Sequence, residues 1–99
     1  MQNRPLGIVE VLGSANAVLA ADQMLKTAQV ELATWDYRCG GHVCIFIRGD
    51  VSAVQAAVDS MKTNPPCNVI MAGVISSPSD DTNRIINERI KRFTPDHFN

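Results

Sequence analysis

Two adjacent glycines between two strand-like segments constrain this chain more than any other feature. Gly40 and Gly41 follow the segment 30–37 and precede Val43–Ile47, an unbroken apolar run rich in β-branched side chains. Glycine adopts the positive φ that a tight turn between antiparallel strands requires. The pattern predicts a hairpin whose second strand lies inside a sheet, and it places the chemistry of any site at the turn.

Strands and helices follow one another in an order that indicates a fold. Further strands are predicted at 6–11 and 69–75, and helices at 15–28, 51–61 and 79–92. The resulting order, β-α-β-β-α-β-α, is the split βαβ arrangement of a ferredoxin-like domain with one added C-terminal helix. This is an α+β fold with an antiparallel four-stranded sheet, and right-handed crossovers place the first two helices on the same face.

Local sequence patterns predict where the helices begin and which faces of the helices and strands are buried. The predicted N-caps are Ser14, Asp50 and either Ser79 or Asp80. The predicted buried stripes are Val18, Ala21, Leu25 and Ala28 on the first helix, Val51, Val54, Val58 and Met61 on the second, and Ile85, Ile86 and Ile90 on the third. On the second strand, Val30, Leu32 and Thr34 are predicted to alternate with Glu31 and Ala33.

The length and net charge of the chain limit the classes of protein to which it can belong. The 99 residues indicate one domain, 1–99, with a core at about 5–80 and a polar tail at 93–99. A net charge of −1 argues against a sequence-independent nucleic-acid binder, and no apolar stretch is long enough for a membrane span or resembles a signal peptide. The three cysteines are an odd number without a pairing pattern, which is typical of free thiols in a reducing cytosol.

No arrangement of residues indicates catalysis. The chain has no phosphate-binding loop with lysine, no paired metalloprotease histidines and no serine elbow. Its two histidines, His42 and His97, are far apart in the sequence. We therefore predict that the chain is not an enzyme.

Three segments together resemble the bacterial microcompartment (BMC) shell protein family. They are the strand Leu6–Glu10, the helix segment Ala20–Lys26 and the strand-to-helix junction Arg48–Ala57, in the family's order and spacing over about residues 5–80. The resemblance implies the BMC fold and flat cyclic hexamers that tile into the shell of a protein organelle in the cytoplasm. It also implies homohexamers in contact with other shell proteins and with encapsulated enzymes.

The resemblance implies roles for particular residues. The hairpin loop of Arg38, Cys39, Gly40 and Gly41 takes the position that lines a central pore for small polar metabolites. Lys26 takes the position of the lysine at the hexamer edge. The sequence departs from the family pattern at Cys39 and Gly40, where glycine and serine are common. It departs again at 76–78, where the family's edge arginine is replaced by serine.

Two alternatives remain open. Cys39 is either a small turn residue in a protein without a cofactor or a ligand of a metal or iron–sulfur cluster that would carry electrons through the shell. Cys44 is predicted to be in the core, whereas Cys67 is an inert loop thiol or a second ligand. His42 starts a strand or lines the channel as a titrating group. On the fold alone, the second alternative for the whole protein is a ferredoxin-like ligand-binding regulator or an acylphosphatase-like enzyme.

Overall fold

The computed structural model describes residues 4–93. Its elements are β1 (Leu6–Leu12), α1 (Ser14–Thr27), β2 (Val30–Tyr37), β3 (His42–Gly49), α2 (Val51–Thr63), β4 (Val69–Ile75) and α3 (Asp80–Phe93). The predicted order of elements is confirmed. Beyond Phe93, the predicted polar tail lies outside the described residues.

The four strands form one antiparallel sheet in the order β2-β3-β1-β4. The interior position predicted for Val43–Ile47 is confirmed, since β3 lies between β2 and β1. The hairpin joins the edge strand β2 to the interior strand β3, so its loop lies at one end of the sheet. The predicted α+β, ferredoxin-like arrangement is thereby confirmed.

The main core lies between one face of the sheet and the pair α1 and α2. The odd-numbered side chains of β1 and β3 point to this side, as the two-residue period of a strand requires. They meet a buried row from each helix. The fully buried members of this core include Val9, Val11, Val43, Ile45 and Ile47 from the strands and Ala17, Ala20, Met24, Val54, Ala57 and Val58 from the helices.

The third helix covers part of the opposite face of the sheet, and polar contacts help to hold it there. The Arg48 guanidinium on β3 donates to the side-chain oxygens of Asn87, at 3.2 Å, and Asn83, at 3.3 Å. Arg89 donates to Asp36 Oδ1 on β2 at 3.1 Å. At the start of α3, Ser79 Oγ accepts the backbone N–H of Thr82 at 3.1 Å, so the predicted Ser79 cap is confirmed.

The stripe predicted for α1 is wrong at two of its four positions, whereas Ala21 is buried in the core and Ala28 packs against it. Val18 and Leu25 are 54% and 42% exposed, whereas the buried positions are Ala17, Ala20, Ala21 and Met24. Alanine occurs on several sides of this helix, so the apolar period alone does not fix which side faces the sheet.

The alternation predicted for β2 is also wrong, because the strand contains a bulge. Leu32 pairs with Ile47 and Thr34 with Phe46, and Ala33 between them is skipped in the register. Leu32 and Thr34 therefore face opposite sides of the sheet. As a result Trp35, opposite Ile45, packs against the main core.

Several smaller predictions fail at helix ends and on exposed faces. Gly13, not Ser14, is at the N-cap position of α1. Asp50 is at that position in α2, but its side chain makes no capping hydrogen bond. Val51 and Ile85, both predicted to be on buried stripes, are 52% and 54% exposed.

Candidate functional site

The loop between β2 and β3 is exposed irregular backbone at one end of the sheet. Its four residues, Arg38 to Gly41, are all exposed, and Cys39–Gly41 form a tight turn with a kink at Gly40. Gly40 and Gly41 have φ values of 78° and 81°, which confirms the positive φ predicted for them. A side chain at either position would strain the backbone. The local fold thus depends on the two glycines.

Backbone hydrogen bonds hold both ends of this loop. The N–H of Arg38 donates to the carbonyl of His42 at 2.7 Å, which continues the β2–β3 ladder by one pair. The N–H of Gly13 donates to the carbonyl of Gly41 at 2.8 Å, which ties the loop to the start of α1. The loop is therefore fixed in position at both ends.

A carboxylate–imidazole pair lies beside the loop. His42 Nδ1 and Glu10 Oε2 are 2.7 Å apart, and their side chains are only 38% and 23% exposed. Because an ionised carboxylate only accepts hydrogen bonds, the imidazole Nδ1–H is the donor. The two residues are 32 positions apart in the sequence. They meet because β1 and β3 are neighbours, with Glu10 opposite Cys44 and Leu12 opposite His42.

Sequence reasoning missed Glu10, because the local sequence around an acidic residue in a strand does not indicate which side chain it contacts. The β1–β3 register alone could have identified it. Together with Arg38 and Cys39, Glu10 and His42 line a recess of about 320 Å³ at the end of the sheet. We call this the Glu10–His42 recess. It contains a guanidinium, a thiol and an acid–base pair within one chain.

The three cysteines are all free thiols in different surroundings. Cys39 is exposed on the loop, and Cys44 is buried as predicted. Burial, and then the negative charge of Glu10, raise the pKa of the Cys44 thiol. Burial also raises the pKa of Cys67, whose Sγ donates to the Asn16 carbonyl at 3.7 Å.

The described residues contain no group of three or more histidine, cysteine, aspartate or glutamate side chains that could hold a metal ion. One chain therefore offers Cys39 without a matching set of protein ligands. A metal or cluster at Cys39 stays a prediction, and it would require ligands from several chains.

Lys26 lies far from the loop. It is in the last turn of α1, whereas the loop is bonded to Gly13 just before the first turn. Twelve helical residues separate the two ends, a distance of about 18 Å. Lys26 Nζ is 2.8 Å from Asp22 Oδ2, and this hydrogen bond and charge raise the pKa of Lys26. The side chain is 76% exposed, so it is free to contact another molecule.

Comparisons with known proteins give a consistent result. Residues 5–78 match the family model described as BMC domain. The chain is 36% identical over 94 residues to the bacterial microcompartment shell protein PduA of Salmonella typhimurium, covering 93% of this chain and 100% of that protein. It is 35% identical over 85 residues to the carboxysome shell protein CcmK2 of Synechococcus elongatus, covering 82% of this chain and 83% of the other.

The comparison with solved structures points to the same family as these relatives do. The crystal structure of a microcompartments protein from Desulfitobacterium hafniense superposes with a TM-score of 0.71 at 34% sequence identity. The match covers 85% of this chain and 47% of the other, so the present chain spans about half the length of that protein. Among residues 4–93, no helix has the length and apolar character needed to cross a membrane.

Proposed function

Because the chain belongs to the BMC domain family of bacterial microcompartment shell proteins, we propose that it forms cyclic hexamers that tile into such a shell, each with a central pore. The loop from Arg38 to Gly41 lines that pore in the proposal. Small polar metabolites pass through it.

The geometry of this loop is the observation that carries the proposal. In a cyclic assembly, one loop from each subunit meets the same axis and forms a ring. The loop has two glycines without side chains and is anchored to both β3 and α1, so six copies can approach closely without losing their shape. Arg38, repeated around the ring, adds positive potential that attracts polar and anionic metabolites.

Exposed apolar side chains support association with further copies. A single chain leaves many large hydrophobic residues 41% to 59% exposed, on both helical and sheet surfaces. Burying apolar surface between subunits is favourable, and these side chains provide such surface. They are Leu12, Val18, Leu19, Leu25, Leu32, Tyr37, Val51, Ile70, Met71 and Ile85.

The outer perimeter of the hexamer is proposed to include Lys26. Its position about 18 Å along α1 from the loop fits a contact between neighbouring hexamers. The segment Ser76–Pro78 after β4, whose two serines are exposed, lacks the arginine expected at this edge. The edge contact therefore relies more heavily on Lys26 in this chain.

Further partners follow from the shell role. We propose contacts with other shell proteins and with encapsulated enzymes, in a shell located in the cytoplasm. The relatives are named as shell proteins, which fits a structural role without catalysis.

Because Cys39 is exposed, one alternative to this function has to be tested: a shell protein that carries a metal cluster. Six loops around an axis bring six thiols into one ring, and thiolates hold iron–sulfur clusters. The proposal is a shell protein without a cofactor. Colourless, iron-free protein after anaerobic purification supports it, and visible absorbance that disappears in Cys39→Ser would replace it with the electron-transfer alternative.

Light scattering coupled to size-exclusion chromatography tests the oligomer. A mass of six times the chain mass of 10.8 kDa is expected. A stable monomer or dimer at the same concentration would contradict the proposal and favour the ligand-binding regulator.

A further inference from the structure

The Glu10–His42 recess has the features of a ligand site that needs only one chain. Its volume of about 320 Å³ lies on the sheet face opposite α1 and α2, at the end next to the loop. Glu10 and His42 belong to interior strands, and Arg38 is joined to His42 through the backbone bond of 2.7 Å. The walls are therefore held by the sheet, and the site does not depend on the formation of a pore.

The imidazole in this recess is fixed so that one nitrogen remains for a ligand. Its Nδ1 is bound to Glu10 at 2.7 Å. A Cβ built on Gly40 would lie 3.5 Å from His42 Cδ2 and 3.9 Å from Nε2, so the loop passes along the ring edge that carries Nε2. When the ring is protonated, Nε2–H is a donor held by a carboxylate behind it.

Arg38 supplies a permanent positive charge to the same recess. Residues 38 and 42 continue the antiparallel pairing of β2 and β3, and side chains that are opposite in such a pair lie on the same face. Guanidinium groups bind carboxylates through two parallel hydrogen bonds. Arg38 and His42 thus bring a guanidinium and an imidazole to one recess, and both groups can donate hydrogen bonds to a carboxylate.

The other titratable groups near the recess do not cancel this pattern. Cys39 lies on the loop, and the buried Cys44 thiol has a raised pKa, caused mainly by burial. Asp36 on β2 is bonded to Arg89 of α3 at 3.1 Å. The charge of the recess is therefore set by Arg38, Glu10 and the protonation of His42.

The net charge of the recess determines which kind of ligand it binds and which protonation state of His42 favours binding. With neutral His42, the charges of Arg38 and Glu10 sum to zero; with protonated His42, the recess carries one positive charge. We propose that the Glu10–His42 recess binds small carboxylate ions and that binding is coupled to protonation of His42. A monoanion matches the single net charge, whereas Glu10 disfavours a doubly charged ligand.

Because the charge of the recess depends on the proton of His42, carboxylate binding depends on pH. Histidine changes its charge between about pH 5 and 8. Carboxylate affinity therefore falls as the pH rises through this range, and by linkage a bound carboxylate favours the protonated ring. In a hexamer, six such sites would surround the pore and change its anion selectivity with pH.

The experiment is a formate titration of the purified protein followed by NMR of selectively 15N-labelled glycine amides. Gly40 and Gly41 lie beside the recess, while Gly7 and Gly73 lie within strands and serve as internal references. At about pH 6 we expect saturable shifts of the two loop glycines. At about pH 8 we expect an affinity about tenfold weaker.

Three variants test the contribution of each charged side chain of the recess separately. Arg38→Gln should abolish binding at both pH values. His42→Gln should leave weak binding that no longer depends on pH. Glu10→Gln keeps the shape and removes the negative charge, so affinity at about pH 8 should rise several-fold. Arg84→Gln is the matched control, since Arg84 is an exposed arginine on α3 bonded to Asp81, and it should behave as wild type.

Two results would overturn the inference. They are loop glycines that do not shift with formate at about pH 6, and equal affinities at about pH 6 and pH 8. Light scattering on the same samples separates this failure from failure of the shell proposal. A non-hexameric chain that still shows proton-linked formate binding would contradict the hexamer and support the recess.

Discussion

At the scale of single residues, Gly7 shows how closely β1 packs against the core. A Cβ at Gly7 would lie 2.7 Å from Ile47 Cγ1 and 3.0 Å from Val58 Cγ2. Both of these side chains are fully buried, so neither has space to move away. Gly73, on the neighbouring strand β4, has no atom within 4 Å of its would-be Cβ. The two glycines therefore predict opposite outcomes for the same substitution.

Gly7→Ala is expected to lower the free energy of unfolding by about 1–3 kcal/mol, because it overpacks the core. Gly73→Ala should have little effect, since the added methyl group enters open space. Urea unfolding followed by the fluorescence of the single tryptophan measures both. Equal stabilities of the two variants would contradict the packing described here.

The buried thiol of Cys44 makes stability depend on alkaline pH. Burial raises its pKa above the ordinary value of 9.0, so the folded chain holds this proton more tightly than the unfolded chain. Its contribution to stability is complete below the unfolded-state pKa and is lost as the pH rises through the raised value. The half-buried Cys67 has a shift of the same sign and cause.

Between about pH 8 and pH 10, the free energy of unfolding should fall more steeply in wild type than in Cys44→Ala. Cys39→Ala is the control: it keeps both of the less exposed thiols and should retain the wild-type pH dependence. Urea unfolding at several pH values measures these slopes. Identical slopes for wild type and Cys44→Ala would contradict the effect of burial.

Some residue roles could be predicted from the sequence and others could not. The positive φ of Gly40 and Gly41 follows from glycine chemistry and needs no tertiary information. The partnership of Glu10 with His42 spans 32 residues and depends on which strands are neighbours. Local pattern carries the first kind of information, whereas the second kind requires the register of the sheet.

At the scale of secondary structure elements, periodicity located the helices better than it oriented them. On α3 the sequence shows three isoleucines, yet Ile86 is 5% exposed and Ile85 is 54% exposed. The α1 stripe was wrong at two of its four positions for the same reason, because many apolar residues leave several faces possible. The bulge at Ala33 has no glycine or proline that would mark it, so the change of face along β2 could not be predicted.

The two adjacent isoleucines of α3, Ile85 and Ile86, provide a matched pair of substitutions that tests how α3 is rotated about its axis. Ile86→Ala should lower the free energy of unfolding by about 2–4 kcal/mol, since it removes a buried side chain beneath the helix. Ile85→Ala should change it by less than about 0.5 kcal/mol in the isolated chain, because that side chain is exposed.

Thermal or urea unfolding under conditions that keep the oligomeric state equal for both variants measures this difference. A loss of stability in Ile85→Ala as large as that in Ile86→Ala would show that α3 is rotated relative to the arrangement described here.

At the scale of the whole molecule, the fold was predictable because each element had its own local signal and the handedness rules limited their arrangement. The sheet order β2-β3-β1-β4 follows from them. The meeting of six loops does not, since it depends on contacts between copies that one chain does not contain. For this reason the pore and the edge remain proposals supported by the family relationship and by exposed surfaces.

Lys26→Ala should prevent extended sheets while leaving the hexamer intact, because the side chain lies at the proposed perimeter and makes no contact with the core. Lys62→Ala is the matched control, as it removes an exposed lysine from the last turn of α2. Negative-stain electron microscopy shows the sheets, and light scattering gives the mass of the dissolved oligomer. Normal sheets from Lys26→Ala would show that this lysine is not an edge contact.

The central claim is that six copies of the loop from Arg38 to Gly41 surround one rotation axis. Single-particle cryo-electron microscopy of the purified protein tests it most directly, because it locates the loop within the assembly. We predict a six-fold ring with Gly40 and Gly41 nearest the axis and Lys26 at the outer edge. An assembly in which these glycines lie at the perimeter would contradict the account.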